Sequence, residues 1–315
     1  MIRYVIRRIL LLGVTMLITS VIIFGLTQLL PGDIARLQLG RDASQAQLEA
    51  FRVQYHLNLS VPEQYVRWLG GFLTGNWGIS FSSGSPAVRP LVFDRLQNSL
   101  RLGLLTLILS VPLSIALGVL AALRENSWVD SVISVFSLGV VGLPEFVTGI
   151  VLISVFALGL GWFPATSLVQ DNFTLGDWLK VLILPAVTAT LVLLGYISRL
   201  TRAGVIEELK KPYVRTATLK GLSQRTVIVK HVLRNALLPT ITVIALSVGW
   251  LIGGLIVIEN VFNFPGLGVL LVTAVEQKNI PLLQAIVMVI IFFFAASNLI
   301  ADILYAVLNP RIRLG

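Results

Sequence analysis

The stretch Tyr213-Val214-Arg215-Thr216-Ala217-Thr218-Leu219-Lys220-Gly221 lies in a basic loop, 199–235, between two apolar runs. The loop has only two acidic side chains, Glu207 and Glu208, against nine basic ones. The basic residues are Arg199, Arg202, Lys210, Lys211, Arg215, Lys220, Arg225, Lys230 and Arg234. Such an excess in a short loop predicts the cytoplasmic side of a membrane. Because a turn with an N-capping serine is predicted at Leu222-Ser223-Gln224, we expect two short helices that meet at the glycine and form a protein-docking surface. Composition alone also fits a generic basic loop.

The composition of the whole chain indicates a membrane protein. Of its 315 residues, 56% are hydrophobic and only 12% charged, against about 25% charged in soluble domains. The net charge of +9 is concentrated in the basic loop, and anionic lipid explains it better than nucleic acid, for which no binding motif is present. The absence of cysteine excludes disulfides and thiolate metal sites.

Apolar runs of bilayer-spanning length predict an all-α integral membrane protein with six transmembrane helices. The predicted spans are 9–30, 100–123, 129–160, 179–200, 236–258 and 282–308. The first follows Arg3, Arg7 and Arg8 and is longer than the apolar core of a signal peptide, so we expect a retained anchor. The chain thus divides into an N-terminal helix (1–30), a polar segment (31–98) and a helical core (99–308).

The loop charges predict the orientation. The N-terminus, the basic loop and the C-terminus with Arg311 and Arg313 are basic and share one side. The acidic residues of segments 161–178 and 259–281 are Asp171, Asp177, Glu259 and Glu276. Both termini are therefore predicted to be cytoplasmic and the polar segment external, whereas the short loop near Asp130 decides nothing.

The polar segment 31–98 is predicted to fold as a small external cap. Apolar residues in 43–57 and again in 65–72 recur every three or four positions, which predicts two short helices packed on the outer membrane surface. The pattern does not decide whether the cap contacts another protein.

Small residues predict where helices pack closely. In the second span they recur every four positions, as Ser110, Ser114, Gly118 and Ala122. Gly249 and Gly253 repeat the pattern in the fifth span. Such faces allow helix backbones to approach each other in a membrane.

Three acidic residues lie in or near predicted spans. Glu145 follows Pro144 in the middle of the third span, where an ionised carboxylate facing lipid would cost about 3 kcal/mol. It is either part of a translocation path or a structural hydrogen-bonding group beside a kink. Glu259, followed by Asn260, is predicted to be a structural acid at the interface or in an external gate region, and Asp302 to form a salt bridge with a base on the cytoplasmic side.

The basic loop resembles the coupling segment of ATP-binding-cassette (ABC) importer permeases. Their pattern is Glu-Ala-Ala, three residues, Gly and a later Leu-Pro pair, matched by Ala217, Gly221 and Leu238-Pro239. Arg215 and Thr216 replace the acid and the first alanine. The resulting Tyr-Val-Arg-Thr-Ala is typical of the dipeptide/oligopeptide/nickel branch of that family.

Other motifs extend the resemblance over nearly the whole chain. They are Leu29-Leu30-Pro31-Gly32-Asp33, Gly75-Asn76-Trp77-Gly78-Ile79-Ser80, Phe262-Asn263-Phe264-Pro265-Gly266-Leu267-Gly268 and Asn309-Pro310-Arg311-Ile312-Arg313. The resemblance implies a type I ABC importer permease fold in the bacterial inner membrane. It also implies three kinds of partner: a second homologous permease, two ATPases and an external solute-binding protein. The residues expected to contact the ATPases are Tyr213, Val214, Arg215, Thr216, Ala217, Lys220 and Gly221.

Catalysis is not expected in this chain. No phosphate-binding loop motif occurs, so ATP and Mg²⁺ are expected on the partner ATPases. His56 and His231 are predicted on opposite sides of the membrane and cannot share a metal ion.

The resemblance implies peptide-like cargo, although the same branch also carries nickel chelates, opines and oligosaccharides. Two other classes of function remain open. An ion-coupled secondary transporter would need paired internal repeats, of which the sequence shows none. A membrane-anchored scaffold would explain the docking loop, but it would not require Glu145 within a span.

Overall fold

The computed structural model describes residues 2–29, 32–40, 42–82, 84–170 and 172–308, with side chains described only between 5 and 304. Regular structure in these ranges is helical apart from one isolated bridge between Ile79 and Ala87. Leu30-Pro31 of the first motif, Asp171 and the C-terminal motif 309–313 lie outside the described residues.

The helices alternate between long spans and short connecting elements. The first half contains α1 (Ile2–Gln28), α2 (Ile34–Leu39), α3 (Gln45–Gln54), α4 (Val61–Thr74), α5 (Val88–Leu123), α6 (Trp128–Gly142) and α7 (Glu145–Leu152), which continues as a π-helix (Ile153–Gly159). The second half contains α8 (Leu175–Leu209), α9 (Pro212–Leu219), α10 (Gln224–Thr226) with a π-helix (Val227–Val232), α11 (Leu233–Gly254), α12 (Ile256–Val261), α13 (Leu267–Glu276) and α14 (Ile280–Leu308).

The prediction of an all-α protein with six spans is confirmed, with one span broken. Five helical segments of the described chain are long and apolar enough to cross a membrane, and α6 with α7 makes a sixth if the bent pair counts as one span. The third predicted span, 129–160, is not one continuous helix, because α6 and α7 meet at an angle of 105°. Leu143 between them is extended (φ −89°, ψ 132°), as expected before Pro144, whose ring disfavours helical geometry in the preceding residue.

Several helices extend beyond the predicted spans. α5 begins at Val88 rather than at 100, and α8 continues past 200 to Leu209. Both extensions contain charged residues, which the apolar pattern assigned to loops but which a helix tolerates once it leaves the bilayer. The fifth span ends earlier than predicted, at Gly254, and α12 follows it.

The predicted close packing of the second span is confirmed, and α8 is its neighbour. The small-residue face of α5 is buried, and a Cβ on Gly118 would lie 2.5 Å from the Ser198 carbonyl oxygen and 2.6 Å from Thr201 Cβ. Similarly, a Cβ on Gly204 would lie 2.6 Å from the Ala236 carbonyl oxygen, so α8 also contacts α11 at backbone distance. Helix α8 is therefore the central helix of the bundle.

The bundle has two distinct ends. Near the start of α5, Val88 and Val92 pack in one cluster with Leu282 from the start of α14. At the opposite end, Ala122 near the end of α5 packs with Val205 near the end of α8. We call these the cap end and the coupling end.

The first and last helices also meet at the coupling end. Arg8 near the start of α1 forms a salt bridge of 2.9 Å with Asp302 late in α14. The predicted ion pair of Asp302 is thereby confirmed. Both described termini lie on the same side of the bundle as segment 199–235.

The cap, residues 32–82, contains three short helices rather than the two predicted. The additional helix, α2, begins at Asp33, whose side chain caps it and binds Arg52 at 2.7 Å. A buried cluster of Ala35, Leu48 and Phe51 joins α2 to α3. On α4, aromatic side chains contact Phe24 of α1. The cap is therefore packed onto the membrane helices.

Candidate functional site

Helix α9 lies across the coupling end with one face buried. Val214 and Ala217 are buried in a cluster with Ala122 of α5 and Val205 of α8. This burial follows from their spacing of three residues, which places them on one side of the helix. The opposite side of α9 is therefore free to face a partner.

Gly221 forms the turn after α9, as predicted. Its φ of +78° lies in the left-handed region that favours glycine, and a Cβ there would meet nothing within 4 Å. Ser223 caps the next helix by accepting a hydrogen bond of 3.3 Å from the Thr226 amide. The second short helix is predicted as a separate element, and in this respect the prediction is wrong. Helix α10 continues without a break into the fifth span, from Gln224 to Gly254.

A polar network beneath α9 fixes the helix to its neighbours. The Glu208 carboxylate at the end of α8 accepts hydrogen bonds from the Tyr213 hydroxyl and the Lys211 ammonium group. The oxygen of the same hydroxyl lies 3.3 Å from the His231 carbonyl oxygen and accepts a hydrogen bond from the Asn235 amide at 3.2 Å. One side chain of α9 thus joins α8, the π-helix and α11.

Two members of this network hold their protons firmly. The bond to Glu208 raises the pKa of the Lys211 ammonium group. Burial, followed by the bond to Glu208, raises the pKa of the Tyr213 hydroxyl. Because both pKa values move upward from values already well above neutral, the network keeps its donors protonated at physiological pH.

A second anchor ties α8 to α6. Arg202 donates two hydrogen bonds to the Asp130 carboxylate, at 2.6 and 2.7 Å. Asp130 is 4% exposed and also accepts from the Asn126 amide at 3.0 Å. Bidentate pairs of this kind fix relative orientation as well as distance. Movement of α8 at the coupling end would therefore carry the foot of α6 with it.

The outward residues of α9 and the following turn form one exposed patch, which we call the coupling surface. Its members are Arg215, Thr216, Leu219, Lys220, Gly221, Leu222 and Arg225. Leu219 is 78% exposed, although it is apolar. Exposed leucines bordered by basic side chains are suited to a partner groove that offers apolar and acidic groups.

Glu145 is the first residue of α7, directly after the break. It is half-buried and forms no hydrogen bond or ion pair with any residue that the structure describes. Its neighbour Gly149 packs α7 against α12, where a Cβ would lie 3.1 Å from Val261 and 3.2 Å from Phe262. Among the described residues, the Glu145 carboxylate therefore has no partner of the kind that a structural hydrogen-bonding role would need.

Glu259 occupies a buried site at the cap end. It is 1% exposed, and it accepts hydrogen bonds from the Ser99 hydroxyl at 2.5 Å and the Gly268 amide at 2.6 Å. The Ser99 hydroxyl in turn accepts from the Leu267 amide. The carboxylate therefore fastens the loop after α12 to α5. The following residue, Asn260, is exposed, and among the described residues its side chain bonds only to the Ile256 carbonyl of its own helix.

Sequence profiles of two related families cover almost the entire chain. The family described as binding-protein-dependent transport system inner membrane component matches residues 114–314, and the N-terminal component of the same systems matches residues 1–102. The chain belongs to this family. It is an ABC importer permease with the all-α fold of that class.

Curated relatives resemble the permease over its full length. A protein from Sinorhizobium fredii named "Probable peptide ABC transporter permease protein y4tP" is 36% identical over 98% of this chain and 99% of its own. The "Glutathione transport system permease protein GsiC" of Escherichia coli K12 is 36% identical over 99% of each chain. Its counterpart in Pectobacterium atrosepticum is 37% identical over the same shares.

A solved structure titled "Crystal structure of an amino acid ABC transporter with histidines" overlaps the permease with a TM-score of 0.47. It is 17% identical and covers 70% of this chain and 94% of its own.

Membership of the family defines the permease in general terms. It is a multi-pass membrane subunit of a bacterial importer, and the family is non-catalytic. Dependence on a binding protein implies a solute-binding partner and an ATPase.

The sequence analysis missed several residues that position the coupling surface. In the sequence, Glu208 stands out only as one of two acids within a basic loop, and position 235 only as the end of that loop. Asp130 was considered uninformative. Two adjacent acids, Glu207 and Glu208, among nine bases are a usable signal, because a carboxylate surrounded by lysine and arginine readily forms an ion pair.

Proposed function

We propose that the permease forms half of a translocation path with a second homologous permease, while two ATPases dock beneath their coupling surfaces. The observation that supports this most is the contrast within segment 208–225. Glu208, Tyr213 and Val214 hold α9 from beneath, whereas Arg215 and Lys220 face outward without an ion pair among the described residues. A helix that docks a partner must be held rigidly on one face by its own protein and be exposed on the opposite face. ATP and Mg²⁺ would be bound by the ATPases, and this chain would catalyse no reaction.

The contacts suggest how docking would drive transport. Closure of the ATPases would displace α9, and the Glu208–Tyr213 bond would pass this displacement to α8. The Arg202–Asp130 pair would pass it on to α6, whose far end is the break at Gly142. A helix pair joined at an extended residue can change its angle at small cost. The movement that starts at α9 would thus reach the break between α6 and α7, beside Glu145.

The proposed orientation places the coupling end in the cytoplasm and the cap outside. The basic loop supports this through the positive-inside tendency, and the Arg8–Asp302 pair supports it by joining both described termini to that end. An external solute-binding protein would then approach the cap end, where Glu259 and Asn260 belong to the gate region. The buried bonds of Glu259 favour a structural role there.

The proposed cargo is a peptide or a similar small solute. The named relatives transport a peptide or glutathione, and a half-buried carboxylate without a partner, Glu145, suits a cationic or amino end of a cargo. Nickel chelates, opines and oligosaccharides remain the alternatives within the branch.

The large exposed apolar side chains of α6 and α7 offer a face for the second permease. They include Val132, Val135, Phe136, Leu138, Phe146, Ile150 and Val151. Close packing between two such faces would place Glu145 near the junction of the two subunits.

Reconstitution tests the proposal directly. The permease would be co-purified with the products of neighbouring genes and placed in proteoliposomes. We expect stoichiometric ATPase subunits and uptake that requires both internal ATP and the binding protein. Uptake driven by an ion gradient without ATP would replace the proposal with a secondary transporter. Absence of any uptake by an assembled complex that hydrolyses ATP would favour a scaffold.

A further inference from the structure

A cavity of about 460 Å³ lies between the cap and the membrane helices. Its apolar walls include Phe24 at the end of α1, Trp68 on α4 and Trp77 in the following loop. Residues at the start of α14 complete the lining. The volume is within the range of small-molecule sites, about 300–1,000 Å³.

One side of the cavity is polar and carries a cation. Arg67 lines it and lies 2.9 Å from Nε2 of His56, measured from Nη1. Gln28 and Gln64 also line the cavity and bond to each other at 3.1 Å. Arg67 has no acidic partner among the described residues. Because a guanidinium group has five N–H donors, it retains several for an anion.

The cavity lies where a lipid interface is expected. Only 11% of the most apolar stretch of α1 is buried within the protein, so the outer face of this helix meets lipid. Phe24 lies near the cap end of α1. Helix α4 presents further apolar side chains outward: Val66 is 69% exposed and Leu73 is 76% exposed. The aromatic side chains of α4 are half-buried against the protein, and its exposed apolar side chains are suited to contact with the membrane interface.

The packing order separates this cavity from the proposed path. Helix α1 packs on α14 and α4, whereas α7 with Glu145 packs on α8 and α12. The cavity is therefore on the periphery of the bundle.

We propose that this cavity holds the headgroup of one anionic phospholipid from the leaflet at the cap end. The phosphate would accept hydrogen bonds from Arg67, the glycerol region would lie against Trp68 and Trp77, and the acyl chains would follow the apolar face of α1. The amides of Gln28 and Gln64 offer further polar contacts to the headgroup. The proposal does not depend on which side of the membrane the cap end faces.

Photolabelling tests the proposal. The complete permease would be placed in nanodiscs of phosphatidylcholine that contain a small fraction of photoactivatable phosphatidylglycerol, and the labelled residues would be mapped by mass spectrometry. We expect labelling of segments 54–57, 64–71 and 76–81. Arg67→Gln should lower labelling at these segments by about tenfold, the effect of losing one charge-assisted hydrogen bond. Arg67→Lys should retain most of it.

The matched control removes a charge elsewhere on the cap. Arg36 on α2 is exposed and does not line the cavity, so Arg36→Gln should label as the parent does. Labelling along the lipid face of α1 serves as the internal reference for a correctly inserted protein. Equal cavity labelling in Arg67→Gln and the parent would overturn the proposal.

Two competition arms identify other occupants. Loss of cavity labelling on addition of soluble glycerol 3-phosphate would show a site for free phosphate compounds and would overturn the lipid assignment. Loss on addition of a transported peptide would show a cargo subsite and would also overturn it. Retained labelling in both arms supports the lipid.

Discussion

Two glycines at opposite ends of the permease lie in equally motif-like sequence, Gly221 in the turn after α9 and Gly268 in the first turn of α13, but their surroundings differ. At the coupling end, a Cβ on Gly221 would have open space around it, and only the positive φ favours glycine. At the cap end, a Cβ on Gly268 would lie 2.5 Å from Ile256 Cα and 2.8 Å from a Glu259 carboxylate oxygen. The space beside Gly221 is open, whereas the space beside Gly268 is filled by residues of the same chain.

This difference separates docking motifs from structural ones. In the loop around Glu259 and Gly268, the Glu259 carboxylate is buried and bonded to Ser99 and to the Gly268 amide of the same chain. The turn at Gly221 is held from beneath by Tyr213, while Arg215 and Lys220 stay exposed. Substitutions at the cap end should therefore affect folding, and those at the coupling end should affect assembly.

The largest effect on stability is expected from Gly268→Ala. The added methyl group has no room beside backbone atoms of α12, so the loop must shift, at a cost of about 3 kcal/mol. Thermal unfolding in detergent measures the loss. Gly253→Ala is the matched control, since its Cβ would be 3.4 Å from Ile290, an ordinary contact. Similar unfolding temperatures for the two variants would mean that the cap-end loop is not tightly packed.

A smaller loss is expected from Arg202→Gln. The change leaves the buried Asp130 carboxylate without its bidentate partner, at a cost of about 2 kcal/mol, because Arg202 itself is partly exposed. Lys210→Gln removes the more exposed pair with Glu125 and should cost less than about 1 kcal/mol. Thermal unfolding of both variants shows which of the two ion pairs contributes more to stability. If the surface pair proved as costly, α6 would not be anchored to α8 mainly through Asp130.

Tyr213→Phe should cost about 1 kcal/mol, because one buried hydroxyl and its bonds are lost. Its main effect is expected on assembly, since α9 would no longer be fixed to α8 and α11. Co-purification of the ATPases measures this loss. Tyr196→Phe is the control: this tyrosine is 55% exposed, and its hydroxyl has no hydrogen bond among the described residues. If Tyr213→Phe co-purified with as much ATPase as the parent does, the polar network around Tyr213 would not be required for docking.

The smallest effect on stability is expected from Glu145→Gln, below about 0.5 kcal/mol, because the carboxylate has no partner to lose. Uptake of peptides with a positively charged end should nevertheless fall relative to uptake of neutral peptides. Transport at matched membrane abundance measures the ratio, with Glu145→Leu as the comparison. If Gln behaves like the parent for both cargo types while Leu impairs folding, the role of Glu145 is structural.

Much of the fold follows from the sequence. The apolar runs indicate the spans, the four-residue repeat of Ser110, Ser114 and Gly118 marks a close helix contact, and the residues around Gly221 and Ser223 encode their turn locally. Such features depend on neighbouring residues, so a linear pattern reveals them.

The remaining features depend on tertiary contacts. A continuous apolar run at 129–160 does not show that Leu143 is extended and that the two halves diverge by 105°. The partners Glu208, Tyr213 and Asn235 are brought together only when α8, α9 and α11 pack. The same applies to Asp130 and Arg202, which are far apart in the sequence but form two hydrogen bonds.

Single cysteines test most directly whether α9 and the turn at Gly221 dock the ATPases. The chain has no native cysteine, so Leu219→Cys on the coupling surface and Val53→Cys on the cap, both exposed, would each be the only thiol in the permease. Assembly with the ATPases should protect Leu219→Cys from a thiol reagent and leave the labelling of Val53→Cys unchanged. Equal labelling of Leu219→Cys with and without the assembled ATPases would contradict it.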